Sequence, residues 1–238
     1  MKKQTIFHTV NSGLCFRNAE ESLLIDVLHN GKRLGFSPTP EKLIRQMKKH
    51  EGMFATAPDL AFTHLHEDHY DTELVRQFLR EYPRARIYAP GFAVKGLRLR
   101  ELPDGSDEMN FGSFTLTSFP TVHDGHQFIS QPHRSLWLSS PEGQYFICGD
   151  AYLDGKLADR LEKQGKLRPK AVFVNLYQIG EPNGKAFLER LCPQKVFVYH
   201  LPMEEDDIYN YRRLAGEMLS GLEGFSVEML KPMHRVVL

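Results

Sequence analysis

Three histidines and an aspartate fall within six positions of one another in the run Thr63-His64-Leu65-His66-Glu67-Asp68-His69. Neutral imidazole is the commonest protein ligand for zinc-like ions, and a carboxylate beside it adds the negative charge that holds a divalent cation. The apolar residues Leu60-Ala61-Phe62 ahead of the run read as a strand, whose two-residue period points His64 and His66 to one face. Asp68 and His69 then sit where the strand gives way to a turn and to the helix-like segment Thr72 to Glu81, placed to face a second ion. A solvated histidine-rich loop is the competing reading, and this density of ligands at a strand end argues against it.

Other segments end in the same kinds of residue. His123 follows the alternating run Phe114 to Val122, Asp150 closes Tyr145-Phe146-Ile147-Cys148-Gly149, and His200 closes Lys195-Val196-Phe197-Val198-Tyr199. Each run has the apolar, β-branched or aromatic character of a strand, so three separated strands deliver a potential ligand at their ends. A parallel or mixed sheet gathers such residues along one edge.

On these residues the chain resembles the metallo-β-lactamase-fold hydrolase superfamily. Its His-x-His-x-Asp-His motif matches positions 64 to 69, its later His, Asp and His match His123, Asp150 and His200 in order, and an early strand ending in aspartate matches Leu23-Leu24-Ile25-Asp26. The resemblance covers nearly the whole chain. It implies that His64, His66 and His123 bind one metal, that Asp68, His69 and His200 bind a second, that Asp150 bridges both, and that Asp26 buttresses the site. It also implies an α/β fold, the four-layer αββα sandwich, in one domain spanning residues 1–238. The patterning is compatible with strands near 5–10, 13–17, 22–26, 60–63, 86–89, 114–122, 134–140, 143–148, 171–176, 195–199 and 233–238. Helices are expected near 40–50, 72–81, 155–165, 183–191 and 205–222, with Pro40 and Pro83 punctuating two of them.

The cofactor so implied is a pair of divalent ions, zinc first, with manganese or iron also suited to imidazole and carboxylate ligands. Ions about 3.5–4 Å apart bring a shared water to hydroxide at neutral pH. The expected reaction is hydrolysis by that bridging hydroxide of an ester-type bond, a phosphodiester or a lactone, with Asp68 as ligand first and base second. An iron-dependent oxidoreductase on the same fold is the alternative, and a metal-stabilised binding protein a third reading that complete ligation argues against. Within the superfamily, β-lactam-opening enzymes typically lack the aspartate that Asp150 supplies. The glyoxalase II branch carries His-Thr-Pro-Gly-His where this chain has His123-Asp124-Gly125-His126, and diiron oxidases tend to have glutamate at the place of His66. Nuclease branches with a large inserted domain need a longer chain.

Near the ligands, Tyr70, His126, His133, Arg134 and Tyr177 are the candidate substrate contacts, Arg134 because a guanidinium pairs with phosphate or carboxylate in bidentate fashion. The segment from Asn30 to Phe54 is long for a connection and reads as a lid or a dimer contact. His8, His29, His50 and His234 lack partners at ligand spacing and read as structural or surface residues, and Trp137 reads as core filling between sheets. Cys148 points, by strand alternation, the same way as Asp150.

Thirty basic residues balance thirty acidic ones, so charge does not indicate a nucleic-acid partner. No run reaches the ~20 apolar residues of a membrane span. The charged N-terminus lacks the apolar core of a secretory signal, and three widely spaced cysteines suit a reducing compartment. The expectation is therefore a cytoplasmic enzyme acting on a small molecule, with homo-oligomer formation left open.

Overall fold

The N-terminal half runs through β1 (Thr5–His8), β2 (Leu14–Arg17), β3 (Ser22–Ile25), α1 (Glu41–Lys49), β4 (Asp59–Ala61), α2 (Thr72–Glu81), β5 (Ile87–Ala89) and β6 (Arg100–Glu101) in the computed structural model. The C-terminal half continues through β7 (Glu108–Phe111), β8 (Phe114–Thr121), β9 (His133–Ser140), β10 (Gly143–Ile147), α3 (Gly155–Lys163), β11 (Ala171–Val174), α4 (Leu176–Gly180) and α5 (Pro182–Leu191). It closes with β12 (Val196–Val198), α6 (Tyr211–Met218), β13 (Val227–Met229) and β14 (His234–Val237). The structure describes residues 5–18, 21–31, 33–91, 97, 99–102 and 108–238.

Among the described residues two sheets of seven strands result, ordered β14-β1-β2-β3-β4-β5-β6 and β13-β12-β11-β10-β9-β8-β7. Each begins as an antiparallel meander and continues parallel: β1, β2 and β3 are antiparallel and β3 to β6 parallel, while β7 to β10 are antiparallel and β10 to β13 parallel. The two halves thus repeat one plan that the sequence does not display, and β14 returns to pair with β1 and tie the end of the chain to its start.

Apolar residues form three layers of contact. Between the sheets, Phe16, Leu23 and Ile25 of the first meet Leu116, Leu138, Ile147 and Phe173 of the second. Outside the first sheet, Leu24 and Leu60 pack on Leu43 and Met47 of α1 and on Val75 and Phe78 of α2. Outside the second, Phe146, Val172 and Val198 pack on α3 through Leu157 and Leu161 and on α5 through Phe187 and Leu188. Helix, sheet, sheet and helix are therefore stacked in the expected αββα order. The helices start for local reasons: Asp71 accepts the Leu74 N–H at 2.8 Å at the head of α2, and Asp154 does the same for Leu157 at the head of α3.

Several expectations shift. Trp137 is buried, but between the second sheet and its helices, beside Phe146 at 6.0 Å, rather than between the sheets. Cys148 belongs to that same helix-side layer and does not share a direction with Asp150, because Gly149 at φ +60° breaks the alternation. The helix expected over 205–222 is α6 with short 3-10 turns before and after it, since Asn210 adopts φ +57° at its head. The strand expected over 171–176 stops at Val174, where Asn175 and Gln178 form a capping box and open α4. Within Asn30 to Phe54, Lys32 lies outside the described residues; the other residues ahead of Glu41 are in irregular chain, and α1 with a 3-10 turn, Gly52–Phe54, follows. His8 and His29 are buried and His234 is exposed, while His50, also exposed, caps α1 in the left-handed region.

Phe173 packs its ring against Phe16 of the opposite sheet at 5.8 Å and against Phe197 at 5.3 Å, with no exposure. Phe173→Ala should lower the unfolding free energy by about 3–5 kcal/mol, seen as a lower urea midpoint. His29 offers a second test. Burial, chiefly, pushes its pKa from 6.5 down to about 3. The unfolded chain binds a proton that the folded chain refuses, so this contribution is complete above pH 6.5 and is lost as pH falls toward 3, at up to about 1.4 kcal/mol per pH unit. Between pH 7 and 5, in the presence of a chelator, the urea midpoint of the unaltered protein should fall further than that of His29→Leu; parallel curves would refute this account.

Candidate metal centre

The residues picked out by type and spacing converge where strands of both sheets end, beyond β4, β8, β10 and β12. His64 and His66 lie in irregular chain beyond β4, not on a strand, yet their rings meet, with His64 Nε2 3.0 Å from His66 Nδ1. His123, just past β8, brings Nε2 to 3.1 Å from the same Nδ1. His69 and His200 approach at 2.8 Å between their Nε2 atoms, and Asp68 Oδ2 stands 3.7 Å from His200 Nε2. Two groups of metal-capable atoms follow: His64, His66 and His123, and Asp68, His69, Asp150 and His200, the atoms of each within 4.8 Å of one another. Asp150 stands between them. Its Oδ2 is 3.8 Å from His64 Nε2, 3.7 Å from His123 Nε2 and 3.4 Å from His69 Nε2, and its Oδ1 is 3.5 Å from His200 Nε2.

Backbone turns and supporting hydrogen bonds hold this convergence. Asp26, at the end of β3 with φ +52°, accepts the Thr63 N–H at 2.8 Å and the Thr63 hydroxyl at 2.6 Å. It also accepts His69 Nδ1–H at 2.9 Å, which leaves Nε2 of that ring facing the centre. His123 Nδ1–H donates to the Asp124 carbonyl, likewise freeing Nε2. Asp150 follows Gly149, where a Cβ would lie 2.7 Å from His133 Nε2 and 2.9 Å from Thr63 Cβ, so only glycine admits the close approach. The Asp150 N–H donates to His133 Nε2 at 2.9 Å, and Asn175 Nδ2–H donates to Asp150 Oδ1 at 3.0 Å. His200, at φ +63°, donates its N–H to the Asn11 carbonyl at 2.9 Å, while Asn11 pairs through its amide with the backbone of Ser37 at 2.9 and 3.2 Å.

Electrostatics suits a cation. Burial, first of all, drives His64 well below its ordinary pKa and His66 down to about 4, and it lowers His123 as well. All three imidazoles are thus neutral near pH 7, the form that offers a lone pair. Burial opposes charge on Asp150 and on His69 too, but there the partners win. His200 and His69 hold Asp150 well below the carboxylate range, and Asp150 with Asp26 raises His69 well above the imidazole range. Asp68 gives the sharpest test of fit: it is fully buried, and neither carboxylate oxygen has a hydrogen-bond partner. A buried carboxylate left so is costly, and a bound cation would satisfy it. Nitrogens sharing an ion at 2.0–2.1 Å in tetrahedral geometry lie about 3.3 Å apart, close to the separations found here.

The centre opens into a cleft of about 300 Å³ whose wall includes Arg33, Phe36, Phe128, Asn175, Tyr177 and Tyr211. A larger hollow of about 730 Å³ lies under α1 on the outer side of the first sheet, and none of the metal-capable residues lines it. Of the expected substrate contacts only Tyr177 borders the cleft. Tyr70 is buried, its ring 5.1 Å from Phe62, and borders a shallow groove with Asn30 and Arg76. His133 is also buried, with Nδ1 2.6 Å from Thr121 Oγ1 and Nε2 occupied by Asp150, so it positions that aspartate and does not face a substrate. Arg134 donates its backbone N–H to Thr63, and neither it nor the exposed His126 is part of the cleft wall. Sequence reasoning missed Arg33, Phe36, Phe128, Asn11 and Asn175. An asparagine closing an apolar strand was the one available signal, at Asn175.

No family profile matches the chain, and no curated protein matches its sequence. Solved structures do match. A possible metal-dependent hydrolase from Veillonella parvula aligns over 100% of both chains at 14% identity and a TM-score of 0.71. The metallo-β-lactamase fold protein YhfI from Bacillus subtilis aligns over 100% of both at 12% identity and a TM-score of 0.66. CmlA, a diiron β-hydroxylase from Streptomyces venezuelae, aligns at 15% identity and a TM-score of 0.64; all of this chain is covered, but it spans 54% of CmlA, about half its length. With the paired mixed sheets and their flanking helices, these likenesses identify the chain as having the metallo-β-lactamase fold.

Proposed function

We propose that the protein is a dinuclear metallohydrolase that cleaves an ester-type bond, a phosphodiester or a lactone, in a small molecule. The observation that carries this reading is the placement of Asp150 between two groups of inward-facing ligand atoms, beside the buried and unsatisfied carboxylate of Asp68. His64, His66 and His123 would hold one ion, Asp68, His69 and His200 the other, and Asp150 both. Two divalent ions, zinc in this reading, supply Lewis acidity and lower the pKa of water to about 7.

The chain's own residues do the rest. Asp26, His133, Asn175 and Asn11 fix the orientation of His69, Asp150 and His200 by the hydrogen bonds described above. Asp68 keeps an oxygen to accept a proton from the attacking water and so aim it. Phe36, 4.9 Å from the His200 ring, and Phe128, 4.8 Å from His66 and 5.0 Å from His123, cover the ligands and restrict water from the side of the cleft. The name of the Veillonella protein agrees with hydrolysis. The likeness to CmlA keeps an iron-dependent oxidation as the alternative, and His66, where the diiron oxidases tend to have glutamate, favours hydrolysis. The cysteines, Cys15, Cys148 and Cys192, form no disulfide and support a cytoplasmic setting. Among the described residues no helix is long and apolar enough to cross a membrane.

Protein purified without added metal should carry two zinc or manganese ions per chain and turn over bis(p-nitrophenyl) phosphate. Stoichiometric iron with colour and oxygen consumption would favour oxidation instead. Asp68→Ala should fold and lose about 10²–10⁴-fold in kcat; turnover near the unaltered level in a variant that has lost its metal sinks the scheme. Asp26→Asn should weaken metal affinity by about 10–100-fold in chelator competition, because His69 loses the partner that fixes its tautomer.

A further inference from the structure

We infer that Arg33 selects the substrate: its guanidinium holds an anionic group, phosphoryl or carboxylate, lying next to the bond that is cleaved. The inference rests on the metallohydrolase reading for the commitment of Asp68 to a cation and for the link to a scissile bond; the placement of the guanidinium is read from the structure.

Arg33 lies in the loop between β3 and α1 and reaches over the gap between the two groups of ligand atoms. Its Cζ is 5.7 Å from the Phe36 ring centre and 5.0 Å from that of Phe128. Those rings rest in turn on His200 on one side and on His66 and His123 on the other, so the guanidinium lies between rings that touch both groups of ligand atoms, on the cleft wall. Two aromatic rings flank it, as suits a delocalised planar cation and not an ammonium. Its side chain is only 38% exposed, and among the described residues none of its N–H groups makes a hydrogen bond. Five donors on a permanently charged group, partly buried and without a hydrogen-bond acceptor in the protein, are poised for a ligand.

The nearest anion is Asp68, whose Oδ2 is 3.7 Å from Arg33 Nη1, too far for a hydrogen bond. Once Asp68 is committed to a cation, its charge no longer serves Arg33. The other carboxylates on the cleft are Asp150, which is taken up by the histidines, and Asp124, which accepts the Gly125 N–H at 2.9 Å. With Asp68 committed to a cation, the guanidinium therefore calls for an anion brought by the substrate. Phe36 packs on Tyr211 at 5.6 Å, and Tyr177 lies 6.4 Å from Tyr211, which gives the remainder of that molecule an apolar, aromatic wall.

The experiment compares metal-loaded protein with Arg33→Met and Arg33→Lys at matched metal content. Two esters with one leaving group serve as substrates, anionic bis(p-nitrophenyl) phosphate and neutral p-nitrophenyl acetate. In Arg33→Met the ratio of kcat/KM for the anionic over the neutral ester should drop roughly ten- to a hundredfold, carried mainly by KM, with Arg33→Lys restoring only part. Calorimetric titration with phenylphosphonate and with benzoate reads the site without turnover. The tighter of the two identifies the group, phosphoryl or carboxylate, and its affinity should fall by a similar factor in Arg33→Met. An unchanged selectivity ratio, or unchanged affinity for both anions, overturns the assignment. If the unaltered protein cleaves neither ester while the anion affinity still depends on Arg33, the hydrolase reading fails and the anion site stands.

Discussion

Asp150 can occupy its place only if the charge around it is balanced. The carboxylate is buried and stands within 4 Å of four imidazoles, a position untenable for an isolated charge in a medium of low polarity. Its oxygens are held from several directions at once, by histidines on both sides and by the Asn175 amide, while the N–H of its own backbone is spent on His133. Removing any one of these supports leaves the others with an unpaired partner. The geometry of the centre is therefore a collective property of β3, β4, β8, β10, β11 and β12, and the fold can be read as the device that brings their ends to one carboxylate.

The sheets explain why this works. In each half the strands become parallel after the antiparallel meander, so β3 and β4, and likewise β10, β11 and β12, point their carboxyl ends the same way. The chain leaves those ends through residues that are turned sharply. Asp26 and His200 occupy the left-handed region, and Gly149 does the same immediately before Asp150. Such conformations cost energy for residues other than glycine, and at Asp26 and His200 they turn side chains toward the centre. Cys148 shows the consequence: without the glycine turn it would share a side with Asp150, and with it the thiol is in the helix-side core.

Ligand types and strand ends were legible because they are local. An apolar run that stops at His, Asp or Gly-Asp can be read without knowing its neighbours, and the resemblance carried by the histidine-aspartate run supplied the order in which the strands combine. What could not be read was lateral. Tyr70, His133 and Arg134 lie close in sequence to the metal-capable residues, yet the side of the chain on which they emerge depends on irregular turns with no repeating period. His133 went inward to hold Asp150, Tyr70 went against Phe62, and Arg134 lies outside the cleft wall. The partners of the site, Asn11 and Asn175, act through hydrogen bonds to residues far along the chain, and no spacing rule finds those. Trp137 was legible as buried, but both faces of its strand are buried, so alternation could not say which layer it fills.

The same distinction separates the chemistry from its target. In the proposed dinuclear centre, two divalent ions against the two carboxylates Asp68 and Asp150 would leave a surplus of positive charge, and the three histidines of the first group, neutral by burial, would do nothing to reduce it. Arg33 adds to that surplus where a neutral substrate would call for none. An arginine held above a positively charged centre is repelled by it unless an anion lies between them, and the flanking phenyl rings compensate only part of that cost. In the ion-free chain Asp68 partly offsets the guanidinium; in the loaded centre it cannot. With both ions bound, the bridging hydroxide of the proposed scheme and an anionic group of the substrate would together balance Arg33 and the gap separating the two histidine groups.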